Sequence, residues 1–323
     1  MASLQARPFA ASDTDAWDRF VVSSPMGTLV STRRFLAYHG DRFLDRSLVI
    51  TRGNKWVAVL SAASWPSAPE HVIGHPGATF GGLVLRGLGQ TDLAEEALVA
   101  AKDTLRETYG ATTLEVRLPM AHLAAQPDEA QLHALFRLGA RFDRMDLWSA
   151  IALDRPFHPT DACSAHKALR AGLTAGYETA PEAFEELYGV LCENLRARHD
   201  RTPVHSLSEL LDLRERLGGE QALYAVRLPD GRMAAGAWLL RHRADVVHTQ
   251  YLASRADALE LRPMDLLLHS LAEGLATDGV RVLSFGASTE DGGKTLNAGL
   301  HRFKTKMGGG ALVHAHARWT LEP

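Results

Sequence analysis

The chain has 323 residues, 46% of them hydrophobic and 23% charged, with a net charge of −3. That length admits about two ordinary domains, and the near balance of charge excludes a global field that would draw the chain to nucleic acid or anionic lipid. No stretch reaches the roughly 18 uncharged apolar residues of a membrane span. The N-terminus lacks the apolar run of a signal peptide, and Cys163 and Cys192 read as buried thiols of a reducing, cytoplasmic compartment rather than metal ligands.

In chain order, Ser47–Thr51 and Lys55–Ala63 flank Arg52-Gly53-Asn54, which predicts a hairpin. His75–Leu85 reads as a strand region with glycines at its centre. Asp92 and Glu95 predict a capping arrangement for a helix whose apolar stripe is Leu93, Ala97, Ala101 and Leu105, stopped by Gly110. Thr112–Leu118 alternates as a strand, Asp128–Leu138 is a short helix closed by Gly139, and Arg144–Leu153 is a strand.

The segment Asp154–Gly219 opens with Pro156 and Pro159, a plausible boundary. Phe184, Leu187, Leu191 and Leu195 mark one helix. Ser206 with Glu209 caps another, lined by Leu207, Leu210, Leu211 and Leu217. Gln221–Leu228 and Arg232–Arg241 flank the turn Pro229-Asp230-Gly231, and Asp245–Ala253 is the third strand of a meander. Pro263 starts a helix with Met264, Leu267, Leu268, Leu271 and Leu275 on one face. Val280–Phe285 is a strand, Leu296–Lys306 a short helix, and Ala311–Leu321 a last strand. The two halves therefore follow one plan, with Leu135–Phe142 placed as Phe303–Gly309 is. The predicted domains are 1–155 and 156–323, each an α/β (α+β) unit with a mixed, mostly antiparallel sheet flanked by helices.

Four stretches carry a resemblance. They are Pro76-Gly77-Ala78-Thr79-Phe80-Gly81-Gly82-Leu83; His248, Gln250 and Tyr251; Phe285-Gly286 with Ser288-Thr289; and Asn297-x-Gly299-Leu300-x-x-Phe303-Lys304-x-x-x-Gly308. With the duplicated order, the chain resembles the GNAT acyltransferase fold as duplicated in the Fem family of aminoacyl and acyl transferases. Met307 stands where that family usually has an aromatic residue. The resemblance implies transfer of an acyl or aminoacyl group to an amine, such as a cell-wall precursor, an amino sugar or a natural-product amine. It implies no tightly bound cofactor; the donor is acyl-CoA, an acyl-carrier thioester or aminoacyl-tRNA. It places the donor and catalysis in the second domain and the acceptor in the first.

Such chemistry needs an amine that loses a proton, a stabilised oxyanion and two aligned reactants. The resemblance makes Lys304 the oxyanion-stabilising or leaving-group contact; the competing reading is a solvated lysine. His248 suits a general base by its ordinary pKa, or is a hydrogen-bonded core residue. By alternation Gln250 shares its face and Tyr251 takes the other. Ser288, Thr289 and Asn297 either bind the donor or cap turns. Phe303, Arg302 and Lys306 complete the donor set, in a segment (292–320) free of Asp and Glu that suits a phosphate-bearing ligand.

His75, Thr79, Phe80, Gly81 and Gly82 either shape an acceptor groove or form a bulge. Arg198 and Arg201 either contact the acceptor or end a helix in solvent. The segment 255–263 lacks glycines to cradle a pyrophosphate, which argues against ordinary coenzyme A binding and leaves a second reading open, a catalytically inactive metabolite- or partner-binding protein. No metal, DNA partner or membrane span is expected, and oligomeric state is not legible.

Overall fold

The computed structural model describes residues 3–155, 162–199 and 202–322. Pro156 and Pro159 lie outside the described residues. The chain forms two compact units: residues 1–147 with 289–295 and 313–323, and residues 148–288 with 296–312.

The first unit starts with β1 (Leu4–Pro8), α1 (Thr14–Ser23), α2 (Arg33–Leu36) and β2 (Leu44–Asp45). β3 (Leu48–Arg52) and β4 (Lys55–Leu60) form the hairpin expected from Gly53. β5 (Ala63–Trp65), β6 (Ala68–Ile73) and β7 (Leu83–Leu85) follow, then α3 (Thr91–Tyr109), β8 (Thr113–Arg117), α4 (Ala130–Arg137) and β9 (Arg141–Ala152). Strands β1-β3-β4-β7 make one sheet; β9 leads into a second set, β17-β8-β6-β5-β2. β6 and β8 run parallel, as the long crossover helix α3 between them requires.

Between the strands and helices lies one core of Leu48, Ile50, Leu60, Leu98, Leu105, Leu114, Val116, Leu135 and Trp319. The predicted stripe of α3 is this buried face. The strand expected over 75–85 is instead a loop ending in three residues of strand: His75 has a positive φ of 49°, which no regular strand accommodates. The capping role expected of Asp92 also fails. The N-cap of α3 is Gln90, without a side-chain cap bond, and Asp92 lies within the first turn.

The second unit contains α5 (Ala162–Arg170), β10 (Thr174–Glu178), α6 (Pro181–His199), α7 (Leu207–Leu217), β11 (Gln221–Arg227), β12 (Met233–Arg243), β13 (Val246–Ser254), α8 (Pro263–Thr277) and β14 (Val282–Ala287). The two-residue strands β15 (Thr289–Glu290) and β16 (Thr295–Leu296) precede α9 (Ala298–Lys306) and β17 (Gly310–Thr320). Strand order is β10-β11-β12-β13-β14, with the end of β9 beside β14. Only β13 and β14 are parallel, joined across α8, whose Leu266, Leu267, Leu268, Leu271 and Leu275 pack under the sheet. Ser206 and Glu209 make the expected reciprocal cap of α7.

Both units thus carry strand, helices, strands, long helix, strand, short helix, strand. The units differ from the linear division expected at residue 155 because each copy's last strand serves the other unit: β17 pairs with β8 in the first, and the end of β9 pairs with β14 in the second. Cys163 is exposed and Cys192 half-buried, where the sequence suggested two buried thiols.

Candidate active site

The sheet of the second unit is interrupted at β13. Thr249 pairs with Leu239 and Tyr251 with Trp238, so Gln250 is an extra residue without a partner on β12. This is a β-bulge, which bends its strand and takes the bulged backbone out of the ladder. The pairing of β13 with β14 ends at His248 and Ser284. Beyond that pair the two parallel strands part, and the Thr249 hydroxyl spans the fork by donating to the Ser284 carbonyl at 3.2 Å.

The bulge also corrects the alternation expected along β13. Trp238 and Leu240 share a face of β12, His248 pairs with Leu240, and Tyr251 pairs with Trp238; His248 and Tyr251 therefore lie on the same face. His248 is buried and stacked between two rings, Trp148 (5.5 Å, 27°) and His242 (5.5 Å, 29°). Tyr251 stacks on Trp238 at 5.9 Å. Its hydroxyl accepts the His205 backbone N–H at 3.3 Å and stands 2.6 Å from His205 Nδ1, to which it can donate. Burial pushes its pKa up to about 12, so this phenol stays protonated at neutral pH and is no base.

On the other side of the fork, β14 is itself irregular. Ser284 pairs with Ala150 but Ala287 with Trp148, a register shift around Phe285 and Gly286. Gly286 has φ 74°, a conformation suited to glycine. The carbonyls of Gly286 and Ala287 turn toward α9 and accept from Lys304 Nζ at 2.9 and 2.6 Å. Lys304 is 3% exposed, so it is no solvated lysine. Burial lowers its pKa to about 8.

Around this corner the hydroxyls of Ser149, Ser284 and Ser288 are buried and find no partner among the described residues. Asn297 is the N-cap of α9: its Oδ1 accepts the Leu300 N–H at 3.0 Å, and its own N–H donates to the Ser288 carbonyl at 2.9 Å. Of the two readings open for Asn297, the cap is realised. Phe303 packs on the core of the unit. Arg302 and Lys306, one turn apart, line an open groove on the outer side of α9 with Leu296, Ala298, His301 and Thr305.

The remaining expected residues lie in the first unit or outside description. The Thr289 hydroxyl is committed there: it donates to Asp146 Oδ1 at 3.0 Å and accepts the Leu147 N–H at 3.1 Å. His75 is buried, and desolvation drives its pKa down to about 3. Thr79 is half-buried, whereas Phe80 is buried edge-on to His314 at 5.4 Å.

The glycines are explained by packing rather than by a groove. A Cβ at Gly81 would strike the Gly74 carbonyl, and one at Gly82 would strike Gln131 and Val116. Arg198 belongs to α6, but its side chain lies outside the described residues, as does Arg201 altogether. No local pattern of residues marks the bulge at Gln250, the Trp148–His248–His242 stack or the buried Ser149. Trp148 and Ser149 sit on a strand more than a hundred residues upstream of Gly286, and only the pairing of β9 with β14 brings them together.

At the start of α8, where an anion would meet the positive end of the helix, Arg262 takes the left-handed conformation without a glycine. Asp265 is buried in the first turn. A carboxylate already occupies the favourable pole.

Comparison with known proteins bears on this geometry. Residues 164–304 match the family model described as an acetyltransferase (GNAT) domain. No curated protein sequence matches the chain. Among solved structures, FemX aligns with a TM-score of 0.73 at 14% identity, covering 98% of this chain and 97% of its own. A tandem GNAT protein from the clavulanic acid biosynthesis pathway aligns at 0.58 and 13%, covering 99% of both chains. L-PGS from Bacillus licheniformis aligns at 0.60 and 15%, covering 96% and 92%. Residues 164–304 thus match a GNAT acetyltransferase domain, and the chain as a whole shares the fold of FemX and of the tandem GNAT protein. Among the described residues no helix is long and apolar enough to cross a membrane.

Proposed function

We propose that this chain, a Fem-like tandem GNAT protein with its acetyltransferase domain at 164–304, is an N-acyltransferase that moves an acyl or aminoacyl group from an activated ester or thioester to a small-molecule amine. The observation that carries the reading is the fork between β13 and β14 with Lys304 pinned at its edge. A reacting carbonyl seated in the fork would meet backbone released from the ladder at Gln250 and the nearby Nζ, which becomes cationic as it takes the acceptor's proton. Both are fixed before the reaction and aimed where negative charge develops.

Lys304 suits a second task. An ammonium has three N–H groups and an amine has two with a lone pair. Lys304 can therefore hold both carbonyls in either state, and its remaining position exchanges a proton. In the proposed step the acceptor nitrogen bonds to the carbonyl carbon, the oxyanion forms, and the nitrogen's proton passes to Nζ. Collapse breaks the bond to the carrier oxygen or sulfur, which takes that proton back from Nζ as it leaves. A pKa near 8, set by burial, suits such an exchange near neutral pH.

The carrier is read from α8 and α9. Asp265 at the start of α8 disfavours a pyrophosphate there, while Arg302 and Lys306 offer positive charge along the groove of α9. This favours a donor held on α9, aminoacyl-tRNA or a carrier thioester, over coenzyme A anchored at α8. Asp265 also motivates the second reading, a binding protein without turnover. Incubating the chain with charged tRNA, acyl-CoA or carrier thioesters and a panel of amines, with and without RNase, separates these. Ligand-induced thermal stabilisation with no product from any donor would favour the second.

A further inference from the structure

We propose that Asp146, His314 and His316 in the first unit form a binding site for a divalent transition metal, zinc by preference. This departs from the sequence-based expectation that the chain holds no metal. His314 and His316 are two apart on β17, so they share a face, opposite the one on which Ala315, Ala317 and Trp319 enter the core. Asp146 lies on β9. The three are 2–5% exposed, and one donor atom from each falls within 4.8 Å of the others.

The distances fit one ion. Two donors about 2.0–2.2 Å from a tetrahedral zinc stand about 3.3 Å apart. His316 Nε2 and Asp146 Oδ2 are 3.2 Å apart. The His314 nitrogen lies within 4.8 Å of both and would move closer to complete the triangle about an ion. Two imidazoles and a carboxylate suit zinc, cobalt and iron, and three protein ligands leave a position for water or a ligand.

The surroundings resemble a ligand-orienting shell. The other nitrogen of His316, Nδ1, faces Glu115 Oε1 at 3.7 Å, so a carboxylate stands beside the ring nitrogen that would not bind the metal. The Thr289 hydroxyl fixes the other oxygen of Asp146. Phe80 walls the His314 ring.

The opposing charges are also explicit. Arg144 contacts Asp146 Oδ2 at 2.8 Å. Arg117 and Arg318 approach Glu115 at 3.5 and 4.0 Å, and Arg318 lies 3.7 Å from Asp143. Among the described residues Arg144 competes directly for Asp146 Oδ2, and its side chain is 46% exposed, with room to swing away. Metal binding and the Arg144–Asp146 pair are therefore mutually exclusive.

The test is titration of the chelator-treated full chain with zinc by calorimetry, and with cobalt(II) by its visible absorption. We expect one zinc per chain and cobalt bands of a four-coordinate site. His314→Ala and His316→Ala should each weaken zinc binding by more than about tenfold. Arg144→Ala should strengthen it, because the competing guanidinium is gone. No stoichiometric binding to the unaltered chain, affinity unchanged in both histidine variants, or affinity unchanged or weakened in Arg144→Ala would overturn the site. Where a histidine variant does not fold, the cobalt spectrum of the unaltered chain and the response to Arg144→Ala decide the matter.

Discussion

Lys304 Nζ donates a 2.6 Å hydrogen bond to the carbonyl oxygen of Ala287, and with the companion bond to Gly286 it ties α9 to the irregular end of β14. A lysine in this place is at once a structural clasp and a fixed charge beside the fork. Lys304→Met should separate the two roles. With the lysine uncharged, above its folded pKa of about 8, the carbonyls' lost donor costs about 1–3 kcal/mol, measurable by urea unfolding near pH 10. Turnover should fall by about 10²–10³-fold, the usual cost of removing one oxyanion donor, in a chain that still gives the native far-UV spectrum.

The same residue makes stability depend on alkaline pH. Its folded pKa, about 8, lies below the ordinary lysine value of 10.5 because it is buried. Between these values the unfolded chain holds a proton that the folded chain lacks, so stability rises with pH across that window. Below pH 8 the buried charge costs up to about 3 kcal/mol. Relative to Lys304→Met, the unaltered chain should gain stability steadily from pH 8 toward 10.5 in urea titrations. Parallel profiles would show that Lys304 is not desolvated as described.

His75 and His314 act in the opposite window. Both are buried to a pKa near 3 from 6.5. From pH 6.5 downward the unfolded chain binds the protons that the folded chain refuses. Each group then removes about 1.4 kcal/mol of stability per pH unit. Replacing His314 with Gln should flatten the acid limb of the stability curve by that amount, as read by unfolding midpoints at pH 6.5, 5.5 and 4.5 in the presence of chelator.

Gly286→Ala tests the bend itself. A Cβ there would find only ordinary contacts, His248 at 3.5 Å and Trp148 at 3.9 Å. The cost therefore comes from the positive φ, about 1–2 kcal/mol. Because the adjacent carbonyls hold Lys304, activity should fall by more than the loss of folded protein accounts for, as measured by turnover per folded molecule.

Tyr251→Phe should leave the pH profile of turnover in place. The hydroxyl is bound to His205 and its pKa lies far above neutrality. The expected loss is about 1–2 kcal/mol of stability from a buried hydrogen bond, read by thermal and urea unfolding.

Much of the fold was legible because its elements are strongly patterned. The Leu-rich α8 begins at Pro263, and the Ser206–Glu209 cap and the Gly53 and Gly231 turns act through local chemistry alone. β6 was not legible: Ala68–Ile73 is short and starts Ala-Pro, and its strand character comes from pairing with β5 and β8. Nor was α5, which follows two prolines and is short. At the site, Lys304 was reachable only through the resemblance of its Phe-Lys motif. The burial that changes its chemistry was not, since the carbonyls it holds carry no side-chain signature. Tyr251 was assigned to the wrong face because one extra residue, Gln250, inverts everything after it. Asp146 could not be joined to His314 and His316 from their positions, because strand pairing between distant segments makes that cluster.

The most direct measurement is detection by mass spectrometry of an acylated amine, formed from charged tRNA or carrier thioesters by the unaltered chain and by Lys304→Met in parallel. The account predicts product from the unaltered chain and at least about a hundredfold less from the variant. Equal product from both would contradict the role given to Lys304; no product from the unaltered chain with any donor, despite ligand binding, would contradict acyl transfer altogether.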